Sequence, residues 1–80
     1  MKQEINIPKL GSEMHTGKIL QWLVKVGDKV EEDQELCEIE TEKMNAMVES
    51  LYDGEITEII GEVGTTYNVG DVIGYIEEED

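Results

Sequence analysis

The residue best suited to carry chemistry in this sequence is Lys43, which lies between two short strand patterns. Alternating apolar and polar residues predict strands over residues 36–40 and 44–49, with three residues between them. A type I turn has negative φ at both central positions, so it accepts ordinary residues such as Glu42 and Lys43 without a glycine or proline. We therefore predict that Lys43 lies at the apex of a hairpin with its amine in water.

A primary amine on a long flexible stem is a nucleophile that can be acylated, and this is the chemistry that Lys43 offers. The other reactive side chains lack the neighbours that their chemistry needs. His15 has no second histidine or cysteine beside it, so we interpret it as an exposed loop residue and not as a metal ligand. Cys37 lies in a strand pattern with no base nearby, and we interpret it as a half-buried packing residue. Trp22 is also interpreted as a packing residue.

No arrangement typical of an independent enzyme is present. The sequence contains no Ser-His-Asp or Cys-His set. The glycine pair in residues 61–64 lacks the lysine and helix that must follow it in a phosphate-binding loop. The acidic clusters at 31–33 and 77–80 lack the spacing and glycine of a calcium loop, so they are predicted to be solvated charge. We therefore expect a non-catalytic domain.

The composition is that of one small, strongly acidic domain. Its 80 residues include 20 acids against 6 lysines, and the net charge is −14. Phosphate groups need positive counter-charge, so we expect neither nucleic acid nor a membrane as a partner. No apolar stretch approaches the ~20 residues of a membrane span, and the N-terminus lacks a secretory signal. With its single cysteine, the chain is expected in the cytoplasm, or in the mitochondrial matrix if its source is eukaryotic.

Short strand patterns separated by glycine turns predict an all-β fold. Besides the hairpin, residues 18–24, 55–60 and 72–76 have strand patterns, and no helical periodicity is present. Residues 4–10 also begin as a strand, which ends at Pro8 or lies at a sheet edge because proline lacks a backbone donor. Residues 17–40 align without a gap onto residues 54–77, and the apolar and glycine positions coincide. Two copies of one strand-turn-strand unit predict two similar sheets related by a pseudo-two-fold axis, in a sandwich or flattened barrel.

The repeat also predicts where the lysine hairpin lies. The hairpin follows the first copy, and its counterpart after the second copy is the acidic end of the chain. We therefore expect Lys43 at one end of the sandwich and both termini at the other end. The domain is expected to span residues 1–77, with residues 78–80 as an acidic tail or the start of a linker. On this interpretation the 80 residues are a domain of a longer chain.

Motifs along nearly the whole chain form one pattern, and they comprise Ile7-Pro8-Lys9-Leu10, Met14, Gly17, residues 19–30 and the run Glu38-Ile39-Glu40-Thr41-Glu42-Lys43. Gly27 stands 16 residues before Lys43, and Gly54 stands 11 residues after it. Together these motifs resemble the lipoyl domain of dihydrolipoyl acyltransferases, the carrier component of 2-oxo acid dehydrogenase complexes. Glu42 departs from the family pattern, because it replaces the usual aspartate.

The resemblance implies a fold, a cofactor and partners. The fold is a flattened β-barrel of two four-stranded antiparallel sheets, and the cofactor is lipoic acid attached to Lys43. This swinging arm carries acyl groups and reducing equivalents between active sites. The implied partners are a lipoate-protein ligase or lipoyl transferase, a 2-oxo acid decarboxylase or dehydrogenase component, the acyltransferase catalytic domain and dihydrolipoyl dehydrogenase. Pyruvate, branched-chain, 2-oxoglutarate and acetoin systems use such carriers, and the choice is expected to depend on residues 11–16 beside the lysine.

Two alternatives share this fold. In a biotin carrier domain of a carboxylase or decarboxylase, the modified lysine typically lies between two methionines. Here Met44 follows Lys43 but Glu42 precedes it, which favours lipoate. We expect the ligase to recognise Glu42 and Met44, so that Glu42→Met weakens lipoylation. Met44 and Met47 are interpreted as strand residues, at least one of which faces the core. The second alternative is an unmodified lipoyl-like structural adaptor.

Overall fold

Eight strands make up the fold in a computed structural model that describes residues 1–79. They are β1 (Lys2–Asn6), β2 (Thr16–Trp22), β3 (Lys29–Val30), β4 (Glu35–Glu40), β5 (Asn45–Glu49), β6 (Gly54–Ile59), β7 (Thr66–Asn68) and β8 (Val72–Glu78). Two four-stranded antiparallel sheets result, in the orders β1-β8-β6-β3 and β5-β4-β2-β7. Residues 1–79 include no helix that is long and apolar enough to cross a membrane. The predicted all-β architecture of two four-stranded sheets is confirmed.

The strand order shows the pseudo-two-fold symmetry that the internal repeat predicted. Exchanging β2 with β6, β3 with β7, β4 with β8 and β5 with β1 converts one sheet order into the other. The two copies do not form one sheet each, however, because β3 pairs with β6 and β7 pairs with β2. Gly27 and Gly64, with φ of 97° and 89°, form the equivalent turns that lead into β3 and β7. Each copy therefore contributes strands to both sheets.

The core lies between the sheets and is almost entirely aliphatic. Its buried members are Ile5, Ile7, Met14, Ile19, Val30, Leu36, Cys37, Ile39, Val48, Ile56, Ile73 and Ile76. Each fully buried aliphatic side chain stabilises the fold by about 1.5–3 kcal/mol relative to exposure. Ile5 and Ile7 are both buried, which confirms that they share the inner face of the first segment.

Cys37 is fully buried, so the interpretation of it as half-buried is wrong. The register of β4 against β5 shifts between Glu35 and Cys37. Such an irregularity breaks the strict alternation of inward and outward side chains. Leu36 and Cys37 are consecutive, and both have 0% exposure. The sequence pattern alone cannot show a register shift, because it depends on the partner strand.

The last strand extends two residues beyond the predicted range of 72–76, into the acidic run that was predicted to be solvated charge. Strand β8 continues to Glu78, and Glu77 and Glu78 pair with Glu55 and Gly54 of β6. Backbone N–H and C=O groups form these ladders whatever the side chains, and successive side chains point to opposite faces. Asp80, the last residue of the predicted tail, lies outside the described residues. The domain limit at residue 77 stays a prediction.

The N-terminus and the lysine hairpin lie at opposite ends of the molecule. At one end, the N-terminal ammonium of Met1 lies 2.7 Å from a carboxylate oxygen of Glu77. Strand β1 leads away from this end, and residues 7–15 continue to His15, whose N–H contacts Glu42 in the hairpin. The long dimension of the domain is 36 Å. This path agrees with the predicted separation of the N-terminus from the hairpin, whereas the C-terminal residue lies outside the described residues.

Candidate functional site

Thr41 closes the turn that carries Lys43. Its backbone N–H and its hydroxyl both donate to the carbonyl oxygen of Met44, at 2.8 and 2.7 Å. The hydroxyl oxygen accepts from the N–H groups of Lys43 at 3.3 Å and Met44 at 3.1 Å. Among residues 1–79 only Asp33 and glycines have positive φ, so Glu42 and Lys43 have the predicted negative φ. The threonine side chain therefore stabilises a turn that has no glycine or proline.

The amine of Lys43 is exposed at the tip of this turn. Its side chain is 75% exposed, and Nζ lies 3.7 Å from Oε2 of Glu13, which is equally exposed. An ion pair between two solvated side chains holds them only weakly. The predicted exposed position at the hairpin apex is confirmed. The attachment of a cofactor to Lys43 stays a prediction.

Glu42 is bound to a distant part of the chain, although it lies at the hairpin tip. Its Oε1 accepts hydrogen bonds from the N–H groups of His15 at 3.1 Å and Thr16 at 2.9 Å, and from the Thr16 hydroxyl at 3.0 Å. The backbone N–H groups of Glu42 and His15, helped by Thr16, lower the pKa of the Glu42 carboxyl to about 2. The carboxylate is thus ionised, and one of its oxygens accepts three hydrogen bonds. The sequence predicted that a ligase recognises Glu42, and this stays a prediction; it did not predict the contact with His15 and Thr16.

Neither methionine near Lys43 belongs to the core, so the expectation that at least one faces the core is wrong. Met44 lies in the turn and is 66% exposed, and Met47 is half-buried in β5. Along β5, Ala46 packs against the core and Val48 is buried in it. Met47 lies between them and points to the opposite face of the sheet. Met44 precedes the first residue of β5, so it is not held by the strand.

A surface groove of about 370 Å³ lies beside the lysine. Residues 10–14 line one side, and residues 41–44 with Ala46 line the other. Met14 is buried and anchors the first segment, whereas Leu10 is 54% exposed. The prediction that the loop at 11–16 lies beside the lysine hairpin is confirmed. The groove thus combines apolar surface with the amine of Lys43.

The remaining candidate residues have structural roles. His15 is exposed, as predicted, and residues 1–79 contain no group of three or more His, Cys, Asp or Glu side chains placed to hold a metal ion. Trp22 is half-buried against the core, and its Nε1–H donates to the carbonyl oxygen of Gly61 at 2.9 Å. This contact joins the two copies of the repeat and confirms that Trp22 is a packing residue.

Cys37 is expected to be chemically inert in the folded protein. Burial raises the pKa of its thiol to about 12, so the reactive thiolate is scarce near neutral pH. We expect Ellman's reagent at about pH 8 to react with the folded domain at least about a hundredfold more slowly than with the domain in concentrated urea. A burst of reaction with the folded protein would contradict the burial of this side chain.

These features define a class of protein: a two-sheet domain that presents one lysine at a hairpin tip, away from the termini. Comparison with known families agrees with this class. The family model described as "Biotin-requiring enzyme", the biotin/lipoyl model, matches residues 3–76. The chain therefore belongs to the biotinyl/lipoyl domain family.

Similar proteins identify the lipoyl branch of this family. The chain is 43% identical over 77 residues to the lipoamide acyltransferase component of the branched-chain alpha-keto acid dehydrogenase complex of Bacillus subtilis (strain 168), covering 96% of the chain and 18% of that protein. It is 39% identical over 80 residues to the dihydrolipoyllysine-residue acetyltransferase component of the pyruvate dehydrogenase complex of Staphylococcus aureus (strain Mu50), covering 100% of the chain and 19% of that protein. The chain thus spans about a fifth of the length of these curated relatives.

A solved structure supports the same assignment. The lipoyl domain of the 2-oxoglutarate dehydrogenase complex from Azotobacter vinelandii superposes with a TM-score of 0.72 at 29% identity. The match covers 95% of this chain and 99% of that domain. The resemblance to the lipoyl domains of acyltransferase components is therefore confirmed, and so is the flattened two-sheet fold.

Proposed function

We propose that the chain is a lipoyl carrier domain in which Lys43 holds lipoic acid through an amide bond. The cofactor on this lysine carries acyl groups and reducing equivalents between the active sites of a 2-oxo acid dehydrogenase complex. The observation that supports this role is the exposed Lys43 amine at the tip of a self-closed turn, in a chain homologous to lipoyl domains.

The residues around Lys43 fit a covalently attached arm. Acylation removes the charge of the amine, and within residues 1–79 its ion-pair partner is the exposed carboxylate of Glu13. The turn is held by the backbone and hydroxyl of Thr41, so its geometry does not depend on the lysine amine. The adjacent groove offers apolar surface at Leu10 and Met44 beside the arm. When bound, lipoic acid supplies a redox-active disulfide that also accepts acyl groups.

In this role the domain performs no catalysis of its own. It presents Lys43 to other enzymes, while a tether at the opposite end keeps the arm at high effective concentration near their active sites. The proposed partners are a lipoate-protein ligase or lipoyl transferase, a 2-oxo acid decarboxylase or dehydrogenase component, an acyltransferase catalytic domain and dihydrolipoyl dehydrogenase. The net charge of −14 supports recognition by surfaces that are locally basic.

The surroundings of the lysine favour lipoate over biotin. A biotin carrier is expected to have methionine on both sides of the modified lysine, whereas here only Met44 is present. On the other side Glu42 is ionised and bound to residues 15–16, so this position holds an integral part of the site. The described relatives and the solved neighbour are also lipoyl proteins by name.

Intact mass spectrometry tests the proposal directly. The domain is produced in a host supplied with both lipoate and biotin, and the modified peptide is then mapped. We expect a lipoyl adduct on the peptide that contains Lys43. A biotin adduct would establish the carboxyl-carrier alternative, and an unmodified domain would favour a structural adaptor. An adduct on another lysine would overturn the assignment of the site.

A further inference from the structure

The junction between the 10–15 segment and β2 is fixed independently of the lysine hairpin. The carbonyl oxygen of His15 accepts a hydrogen bond from the N–H of Val69 at 3.0 Å. Thr16 pairs with Asn68 of β7, and Met14 is buried in the core immediately before the junction. This junction is therefore a rigid part of the sandwich, held from two directions.

The hairpin tip is fastened to this junction through one carboxylate oxygen. Oε1 of Glu42 accepts all three hydrogen bonds, two from His15 and Thr16 N–H groups and one from the Thr16 hydroxyl, within 3.1 Å. Hydrogen bonds to an ionised acceptor are roughly twice as strong as neutral ones. Glu42 is itself exposed, but its three bonds are within hydrogen-bond distance and two of them come from the backbone. The ion pair of Lys43 spans 3.7 Å between two long exposed side chains, so it holds the tip less firmly.

We infer that Glu42 is a positioning residue, whose carboxylate locks the lysine turn onto the His15–Thr16 junction and thereby sets the direction in which Lys43 projects. The inference rests on the proposed function, since Lys43 is the residue being positioned. Thr41 closes the turn within itself, but it does not link the turn to the rest of the molecule. Glu42 supplies that link. An enzyme that acts on the amine then meets a pre-oriented target and loses less freedom on binding.

This role differs from direct recognition of the Glu42 charge by the ligase, and three substitutions separate the two roles. Glu42→Gln removes the charge but keeps an acceptor oxygen for the junction, whereas Glu42→Ala removes both. Thr16→Val leaves the charge of Glu42 in place and removes one of its three donors. A positioning role predicts that Thr16→Val weakens the site and that Glu42→Gln partly preserves it. Direct recognition of the charge predicts instead that Thr16→Val behaves like the wild type and that Glu42→Gln loses as much as Glu42→Ala.

Two measurements test whether Glu42 fixes the lysine turn to the His15–Thr16 junction. The first is the amide order parameter of Glu42, Lys43 and Met44 from ¹⁵N relaxation of the unmodified domain. The second is the initial rate of lipoylation by a lipoate-protein ligase with lipoate and ATP, over a range of domain concentrations. We expect Glu42→Ala to lower the order parameters of the tip and to raise KM on the order of threefold to tenfold, with kcat nearly unchanged. Thr16→Val is expected to lower the order parameters and raise KM as well, but by smaller amounts.

The matched control is Glu40→Gln, which removes a negative charge from the same hairpin without touching the junction, and we expect wild-type values for it. Unchanged order parameters in Glu42→Ala would overturn the inference. It would also be overturned if Glu42→Gln and Glu42→Ala raised KM equally while Thr16→Val kept the wild-type KM. If the wild-type domain accepts no lipoate, the proposed function fails, yet the relaxation measurements still decide whether Glu42 holds the turn.

Discussion

Replacing Lys43 with arginine is expected to abolish lipoylation completely while the domain stays folded. Arginine keeps the positive charge and a long stem, but its guanidinium stays protonated and offers no amine for acylation. The lysine side chain is 75% exposed, and its ion-pair partner Glu13 is exposed to the same extent, so the fold loses little. The turn is unaffected because the backbone and hydroxyl of Thr41 close it.

The measurement is intact mass after incubation with a lipoate-protein ligase, lipoate and ATP. The matched control is Lys18→Arg, an exposed lysine on β2 opposite Glu40, which is expected to accept lipoate at the wild-type level. Both variants are expected to unfold in urea within about 0.5 kcal/mol of the wild type, as is usual for exposed substitutions. A lipoyl adduct that persists in Lys43→Arg would place the site on another lysine.

The position of Lys43 could be predicted from the sequence because the turn is a local structure. All its hydrogen bonds lie within the four residues 41–44, and the alternating patterns on both sides are complete within a few residues. The repeat added the long-range information, since two equivalent units imply a symmetric pair of sheets. It also placed the hairpin and the chain ends at equivalent, opposite positions in the fold.

The role of Glu42 could not be predicted in this way, because its partners lie 26 and 27 residues earlier in the chain. Nothing in the sequence marks His15 or Thr16 as a partner of Glu42, because two of the three donors are backbone N–H groups that any residue provides. The same limit applies to Cys37, whose burial depends on a register shift between two strands. Contacts made by backbone atoms across the sheet leave no sequence pattern.

The sequence patterns did not predict all the strands and strand ends, for a related reason. β3 and β7 contain only two and three residues and lie at sheet edges, so alternation has too few positions to be recognised. The predicted last strand also stops before the acidic residues at the end of β8, although β6 and β1 both supply backbone partners for them. In both cases, pairing with neighbouring strands determines where the strand lies, and local composition does not.

Gly54→Ala is expected to destabilise the domain severely, by about 3 kcal/mol in the free energy of unfolding. A methyl group at this position would overlap the backbone carbonyl oxygen of Glu77 and lie 2.8 Å from Cγ2 of Ile76. The carbonyl belongs to β8, which is an interior strand of its sheet and cannot move without disturbing β1 and β6. A loss of this size is a large part of the roughly 5–15 kcal/mol that stabilises a typical domain.

Two other glycines provide graded controls in urea denaturation. Gly17 is the repeat equivalent of Gly54, but an added methyl would meet side-chain ends there, Cδ1 of Ile39 at 3.2 Å and Cγ2 of Ile7 at 3.4 Å. Side-chain ends shift more easily than a paired backbone, so Gly17→Ala is expected to cost less than about 1.5 kcal/mol in the free energy of unfolding.

Gly11 has no atom within 4 Å of the added methyl and no positive φ, so the free energy of unfolding of Gly11→Ala is expected to stay within about 0.5 kcal/mol of the wild type. Equal losses in Gly17→Ala and Gly54→Ala would contradict the argument, because the two sites differ in whether backbone or side chain blocks the methyl. The symmetry of the fold therefore fixes where glycine is needed, and the atoms that face each position decide how strictly.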